Sequence, residues 1–481
     1  MSKFIGRNEE IKKILDLKSK DNASLIVVMG RRRIGKSTLI DHVGAKFKNY
    51  LVLSGLAPRK DMTNSDQLRS FHHQLQAHFK KTSIPPFYDW HMAMKTLAHL
   101  TKKGEWLILL DEISWMGSLD PDFSGQLKVA WDQFFKKNDQ LMMVVCGSVS
   151  SWIDENILNN ADFTGRISLQ LTIEELQLPY CNEFWGQKTK DISSLEKLKI
   201  LSITGGVPKY LQEIITHQTA EKNILRLCFR PEGPLFHEFD KIFNEIFLKR
   251  NKVYNQLVRK ISEKKMTASE LAKSVKLDLN GDFSRLLRNL ELSGFVKKDY
   301  LYDLRGKKQG LVRYRLKDNY LRFYFKYIES NKDRIESKNF KFESVYQFSE
   351  WESTVGLQFE NLILQNLSQL YPLLDISNAE VIAASPYYQR KTARTKGACQ
   401  IDLLITTSAK IIYLCEFKVR DRMESNLVKE VQRKVKTLRI PRGYSLRPVL
   451  VYEGAMSEKT KYDLKNYFHY MIPFEDLLIH S

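Results

Sequence analysis

Residues 29–38 read MGRRRIGKST and follow the apolar run SLIVV. Gly30, Gly35, Lys36 and Ser37 stand at the fixed places of the pattern G-x-x-x-x-G-K-[ST]. Two glycines let the backbone turn tightly and aim its N–H groups inward, forming an anion nest at a helix N-terminus. In such a nest Lys36 reaches the β- and γ-phosphates of a nucleotide and the Ser37 hydroxyl ligates Mg²⁺, with Thr38 beside it as a further binding candidate. A second stretch, EWLILLDEIS at 105–114, is an apolar run closed by Asp111 and Glu112. Asp111 suits the water shell of the same Mg²⁺, and Glu112 stands where a general base polarises an attacking water. Two adjacent acids favour hydrolysis over transfer to a kinase substrate. The expected cofactors are ATP and Mg²⁺.

The last third holds a second constellation. Glu360 lies among apolar residues in the helical pattern WESTVGLQFENLILQNL, Asp402 in the apolar strand CQIDLLIT, and Glu416 and Lys418 in IIYLCEFKVR. Residues i and i+2 of a strand face one side, so Glu416 and Lys418 project together. The short turn TTSAK makes the two strands hairpin neighbours and brings Asp402 close. An acid inside an apolar strand is costly unless a partner or a metal satisfies it.

These residues need elements to hold them. Leu25 to Met29 read as a buried parallel strand, and the residues from Ser37 have helical spacing. Residues 1–160 alternate apolar strands and amphipathic helices, the pattern of a doubly wound parallel sheet. Residues 161–247 are helical in pattern and read as a lid, with a kinked connection at FRPEGPLF. Residues 248–330 show three helical patterns, with Thr267 and Ser269 placed to cap SELAKSV. Two alternating strands around RGKKQG follow them, which is the order of a winged helix. There Arg285, Arg288, Lys307 and Lys308 can reach phosphates of DNA. The aromatic run DNYLRFYFKYIES at 318–330 reads as a packed helix. Its alternative is a base-stacking platform with Arg322 and Lys326. Residues 331–481 form a C-terminal α/β domain.

The chain has 481 residues, enough for several domains. Its 76 Lys+Arg against 56 Asp+Glu leave a net charge of +20, which favours a polyanionic partner, above all DNA. Five scattered cysteines without a C-x-x-C pair argue against zinc sites and a disulfide framework, and suit a reducing cytoplasm. No apolar stretch approaches the length of a membrane span, so no membrane is expected.

The loop GRRRIGKST together with LLDEISWM resembles the archaeal-type AAA+ ATPases, a branch close to the signal-transduction ATPases with numerous domains. Arginines inside the phosphate loop are usual in that family. Arg31 to Arg33 would either pair with acids of a neighbouring domain or raise the potential for a polyanion. FIGRNEEIKKI at 4–14 is similar to the family's N-terminal box, which implies that Gly6 and Arg7, with Glu10, pack near adenine and ribose. LMMVVCGSVSSWI implies a strand ending in a polar sensor at Ser148, which would report the γ-phosphate. FTGRISLQL implies Arg166 as a γ-phosphate contact, in cis or across a subunit interface, which leaves room for a homo-oligomer. TGGVPKYL implies that Pro208 touches the nucleotide from the lid.

The order helix Glu, strand Asp, then Glu-x-Lys resembles the PD-(D/E)XK nuclease superfamily. By that likeness Asp402 and Glu416 bind Mg²⁺, Glu360 supports the metal shell and Lys418 activates the attacking water. Gln432 stands where several such nucleases carry a glutamine, while Ile401 replaces the usual proline. The expectation is a P-loop ATPase with helical lid, winged helix and metal-dependent DNA nuclease tail. The competing expectation is a nucleotide-controlled signalling switch whose C-terminal domain only binds. Remodelling of protein partners has no sequence mark such as an aromatic pore loop.

Overall fold

The structure, a computed structural model, describes residues 4–148, 150–246, 251–391 and 397–480. The chain divides into two compact units, residues 1–174 with 288–294, and residues 175–287 with 295–481.

In the first unit the apolar runs become strands β1 (Ser24–Met29), β2 (Asn49–Ser54), β3 (Trp106–Asp111), β4 (Leu141–Gly147) and β5 (Ile167–Thr172). They form a parallel sheet in the order β2-β3-β4-β1-β5. Side chains alternate across a strand, so Leu25, Val27 and Met29 enter one apolar layer while Ile26 and Val28 enter the other. A strand apolar on both sides belongs in a sheet covered by helices on both faces. This is the doubly wound α/β fold expected from sequence, with the sheet of a P-loop NTPase. Because β4 lies between β1 and β3, its end falls between the loop after β1 and the acids that close β3. The sheet also runs past residue 160, where sequence placed its boundary. Only Leu171 of β5 is buried, and such an edge strand carries little apolar signal.

In the second unit residues 178–246 are mostly helical, and Gly206 lies so close to Leu176 that a Cβ there would be 2.2 Å from its carbonyl oxygen. The boundary expected at 247/248 lies outside the described residues. Helices Asn251–Glu263, Ala268–Ser274 and Gly281–Leu292 follow, then the antiparallel hairpin of β6 (Val296–Tyr302) and β7 (Lys308–Leu316). Thr267 caps the second helix in a reciprocal box with Glu270.

The aromatic run that follows is core. Tyr320, Phe323, Tyr324 and Tyr327 are buried, with Tyr324 stacked on Phe239 at 4.5 Å and Tyr327 on Phe348 at 4.4 Å. Arg322 donates to Gln358 Oε1 at 2.6 Å and Lys326 to Thr354 Oγ1 at 2.9 Å. Rings and cations engaged in this way are not a stacking platform.

The C-terminal sheet contains β8 (Val381–Gln389), β9 (Cys399–Thr407), β10 (Ile411–Arg422), β11 (Ser445–Ala455) and β12 (Tyr470–Pro473), ordered β12-β11-β10-β9-β8. β9 and β10 are an antiparallel hairpin with Leu403 opposite Cys415, as the short turn required. The β6–β7 turn packs against this domain: Leu304 joins its apolar core, and a Cβ on Gly306 would lie 2.7 Å from Ile382. Among the described residues no helix is long and apolar enough to cross a membrane.

Candidate nucleotide site

β1 delivers the chain to Gly30, whose φ of 148° and approach to Ile173 exclude a side chain: a Cβ would sit 2.5 Å from the Ile173 carbonyl oxygen. Gly35, at φ 86°, then turns the chain into the helix Lys36–Gly44. Buried Lys36 donates Nζ to the carbonyls of Gly30 at 3.0 Å and Arg31 at 3.1 Å, so its ammonium is held inside the loop. Ser37 Oγ donates to Asp111 Oδ2 at 2.8 Å. A hydroxyl and a carboxylate therefore converge at the start of the helix, the hard oxygen donors that Mg²⁺ prefers. The donor set fits that ion. Thr38 is exposed in the same first turn.

Glu112 follows in a left-handed conformation at φ 50°, which costs on the order of 1 kcal/mol or more for a residue with a Cβ. Its carboxylate accepts Ser148 N–H at 3.1 Å and Ser148 Oγ at 2.9 Å. Candidate base and candidate sensor are thus in direct contact, a pairing the sequence did not reveal.

Arg166 is engaged elsewhere in its own unit. Its Nε and Nη2 donate to Asp132 at 2.9 and 2.8 Å, and Lys128 and Lys136 lie 3.5 and 3.7 Å from the same carboxylate. The Arg166 hydrogen bonds, against a small burial penalty, hold the Asp132 carboxyl below its usual range. Arg7 is buried and donates to the carbonyls of Ile34 at 3.3 Å and Glu174 at 2.5 Å, tying the N-terminal box to the end of the phosphate loop. Gly6 just before it has φ 74°. Pro208 opens the helix Pro208–Leu211 in the second unit.

In the C-terminal sheet Glu416 is fully buried, and Lys418 lies 3.6 Å from it, on the side that alternation dictates. Asp402 Oδ2 accepts the N–H of Phe417 at 2.8 Å. Two lysines that sequence reasoning missed complete the cluster. Lys434 donates to both Glu416 oxygens at 2.6 and 2.7 Å, and Lys265 pairs with Glu360. Lys418 also reaches Glu430 at 2.9 Å. Burial pushes the Glu416 carboxyl up to about 7, assisted by Asp402 and opposed by Lys434 and Lys418. Burial likewise raises Glu360, with Lys265 opposing and Asp402 assisting.

Glu360, Asp402 and Glu416, the carboxylates expected to hold a metal, each have protein partners. Among the described residues no group of three or more His, Cys, Asp and Glu is gathered to hold a metal ion. Lys265 pairs with Glu360, Lys434 with Glu416, and Lys418 lies between Glu416 and Glu430, so a divalent cation at these carboxylates would have to displace an ammonium. Gln432, the loose match on the helix Asn426–Thr437, points into solvent.

The cations expected to meet DNA differ in their freedom. Lys307 and Lys308 are exposed, with Lys308 Nζ 3.5 Å from the Tyr300 ring centre. Arg285 is exposed and pairs with Asp282 at 2.5 Å. Arg288 groups with the first unit and donates to Asp154 at 2.8 and 3.1 Å, so a phosphate would have to compete with a carboxylate for it.

Residues 4–214 match the model of an ATPase domain found predominantly in Archaea. This stretch of the chain is thus similar to an archaeal-type ATPase domain, and it takes in the first unit up to residue 174 and the start of the second. An uncharacterized protein of Methanocaldococcus jannaschii is 24% identical over 385 residues, covering 76% of this chain and 78% of its own length. Among solved structures, the chain is similar to the Walker-type ATPase of Pyrococcus abyssi at TM-score 0.47 and 15% identity, over 66% of this chain and 95% of that one. The ORC2 protein of Aeropyrum pernix, in ADPNP–ADP complexes, gives TM-score 0.40 at 13% identity, over 70% and 96%.

Proposed function

We propose that the protein binds and hydrolyses ATP with Mg²⁺ and couples turnover to engagement of DNA. The observation that carries the ATP part is the convergence of Lys36, the Ser37–Asp111 pair and Glu112 at the ends of β1 and β3, on either side of β4. Ser37 and Asp111 would hold Mg²⁺, which would supply charge neutralisation at the phosphates. Lys36 binds the β- and γ-phosphates, Glu112 orients and deprotonates the attacking water once it leaves Ser148, and Ser148 then senses the γ-phosphate. Arg7, Gly6 and Pro208 are assigned to the nucleotide's base and sugar side. Arg166 contacts the γ-phosphate only after exchanging Asp132 for it.

DNA engagement rests on the charge of +20 and on exposed Arg285, Lys307 and Lys308 in the winged-helix arrangement. Duplex binding should fall steeply with salt, and Arg285→Glu with Lys307→Glu should weaken it on all sequences alike. Binding unchanged by both charge reversals would remove the hairpin from the interface.

A second reading, a phosphodiester-cleaving C-terminal domain, is favoured by Asp402 lying near Glu416 and Lys418. The Lys434–Glu416 pair speaks for the other alternative, in which this domain is a non-catalytic module of a nucleotide switch. Incubating plasmid, linear duplex and single-stranded DNA with ATP and with Mg²⁺ or Mn²⁺ separates them. Cleavage abolished by Asp402→Ala supports the nuclease, and intact DNA under every condition supports the module.

A further inference from the structure

A net charge of +20 has to reside somewhere, and the cations around the β6–β7 hairpin hold only part of it. In a parallel sheet every segment that enters a strand arrives at the same edge, opposite the edge that carries the phosphate loop. Here those segments are lysine-rich: Lys18 and Lys20 before β1, Lys46 and Lys48 before β2, Lys102 and Lys103 before β3, Lys136 and Lys137 before β4. They surround a cleft of about 560 Å³ lined by Lys18, Lys20, Lys102, Lys103 and Lys137.

Its acids do not cancel this charge. Glu105 is already taken, by Lys18 Nζ at 3.0 Å and by the Lys48 N–H at 3.0 Å, which leaves Asp21 and Asp139. Among the described residues Lys20, Lys102, Lys103 and Lys137 are exposed and form no ion pair. Four unpaired ammonium groups on one rim repel one another, a cost that a bound polyanion removes. Lysines are point charges on flexible stems, suited to phosphates and indifferent to base sequence. The exposed large apolar side chains of this unit, Val52, Leu56, Tyr88 and Leu119, do not line the cleft, so a lipid surface would find no apolar anchor there.

We infer that this lysine-rimmed cleft, on the sheet edge remote from the phosphate loop, binds the phosphate backbone of a nucleic acid. The inference rests on the DNA reading above and adds a second, sequence-independent contact to it.

The test is the salt dependence of binding to a random-sequence DNA duplex by the full chain and by the quadruple variant Lys20→Gln, Lys102→Gln, Lys103→Gln, Lys137→Gln. The variant should bind at least about tenfold more weakly at low salt, with a slope of log K against log salt shallower by about 3 to 4, since each lost phosphate contact removes about 0.9. Amine-labelling of the unmodified protein gives a readout independent of the variant's folding: DNA should protect these four lysines, and should still do so in the Arg285→Glu, Lys307→Glu protein. Unchanged slope and unchanged labelling overturn the cleft while leaving the DNA reading standing. No binding by the unmodified protein overturns both. A variant that loses binding to anionic vesicles while keeping its DNA affinity assigns the cleft to membranes instead.

Discussion

Glu112→Gln is expected to slow ATP turnover by about a hundred- to ten-thousandfold, the contribution of a positioned general base, while ATP stays bound. The amide keeps the shape of the carboxylate, and its oxygen can still accept the Ser148 N–H that now holds Glu112 at 3.1 Å. It cannot take a proton from water. Binding depends instead on Lys36, on the backbone of the loop and on the Ser37–Asp111 pair, all unaltered by the change. Single-turnover phosphate release, with retention of labelled ATP on a sizing column, separates the two effects. Turnover at the unmodified rate would mean that another residue activates the water.

Lys434→Ala, on the helix beside the C-terminal sheet, is expected to destabilise that domain by up to about 3 kcal/mol, the low end of the usual effect of stripping a partner from a buried charge, because Lys418 stays 3.6 Å from Glu416. Glu416 is fully enclosed, and Lys434 holds both its oxygens. The loss should depend on pH in a defined direction. The Glu416 carboxyl titrates near 7 in the folded chain, above the value of an unfolded carboxyl, so its proton favours folding in acid and that contribution fades as pH rises through 7. Without Lys434 the folded value moves higher still. Near pH 6 the acid is largely neutral and needs no cation, so the variant's deficit should be small. Toward about pH 9 charging the acid is opposed by burial with only Lys418, 3.6 Å away, as counter-ion, and the deficit should be largest. Urea unfolding of both proteins across this range measures it, and a deficit that stays constant or shrinks with rising pH would contradict the pairing.

Local signals made half of each site readable. The phosphate loop is written in consecutive residues and flanked by a strand and a helix that declare themselves through apolar runs. The Asp402–Glu416 neighbourhood followed from a turn too short for anything but a hairpin. What stayed hidden depends on contacts distant in sequence. Ser148 meets Glu112 because β4 lies beside β3, which no run of residues states. Lys434, on a helix, and Lys265, in the connection between two helices, reach the carboxylates from 18 and 95 residues away. One trace was present: Glu430 and Lys434 form an i,i+4 pair on the helix Asn426–Thr437, on the side where Leu427 and Val431 are buried. β5 was read into the lid because an edge strand alternates weakly, and Arg166 looked free because Asp132 lies 34 residues earlier. The lysine partners of the expected metal ligands were hidden for the same reason. Acids can be counted in a sequence, but the lysines that neutralise them had to be found in space.

The most direct test of nucleotide chemistry in the Gly30–Ser37 loop is ATP binding and hydrolysis by the full chain beside its Lys36→Ala variant, with Mg²⁺ present. Loss of the one ammonium enclosed by the loop should reduce turnover by more than about a hundredfold, the effect of deleting a preorganised electrostatic contact, and should weaken ATP binding while the melting temperature of the nucleotide-free protein is kept. Equal binding and equal turnover in the two proteins would contradict it.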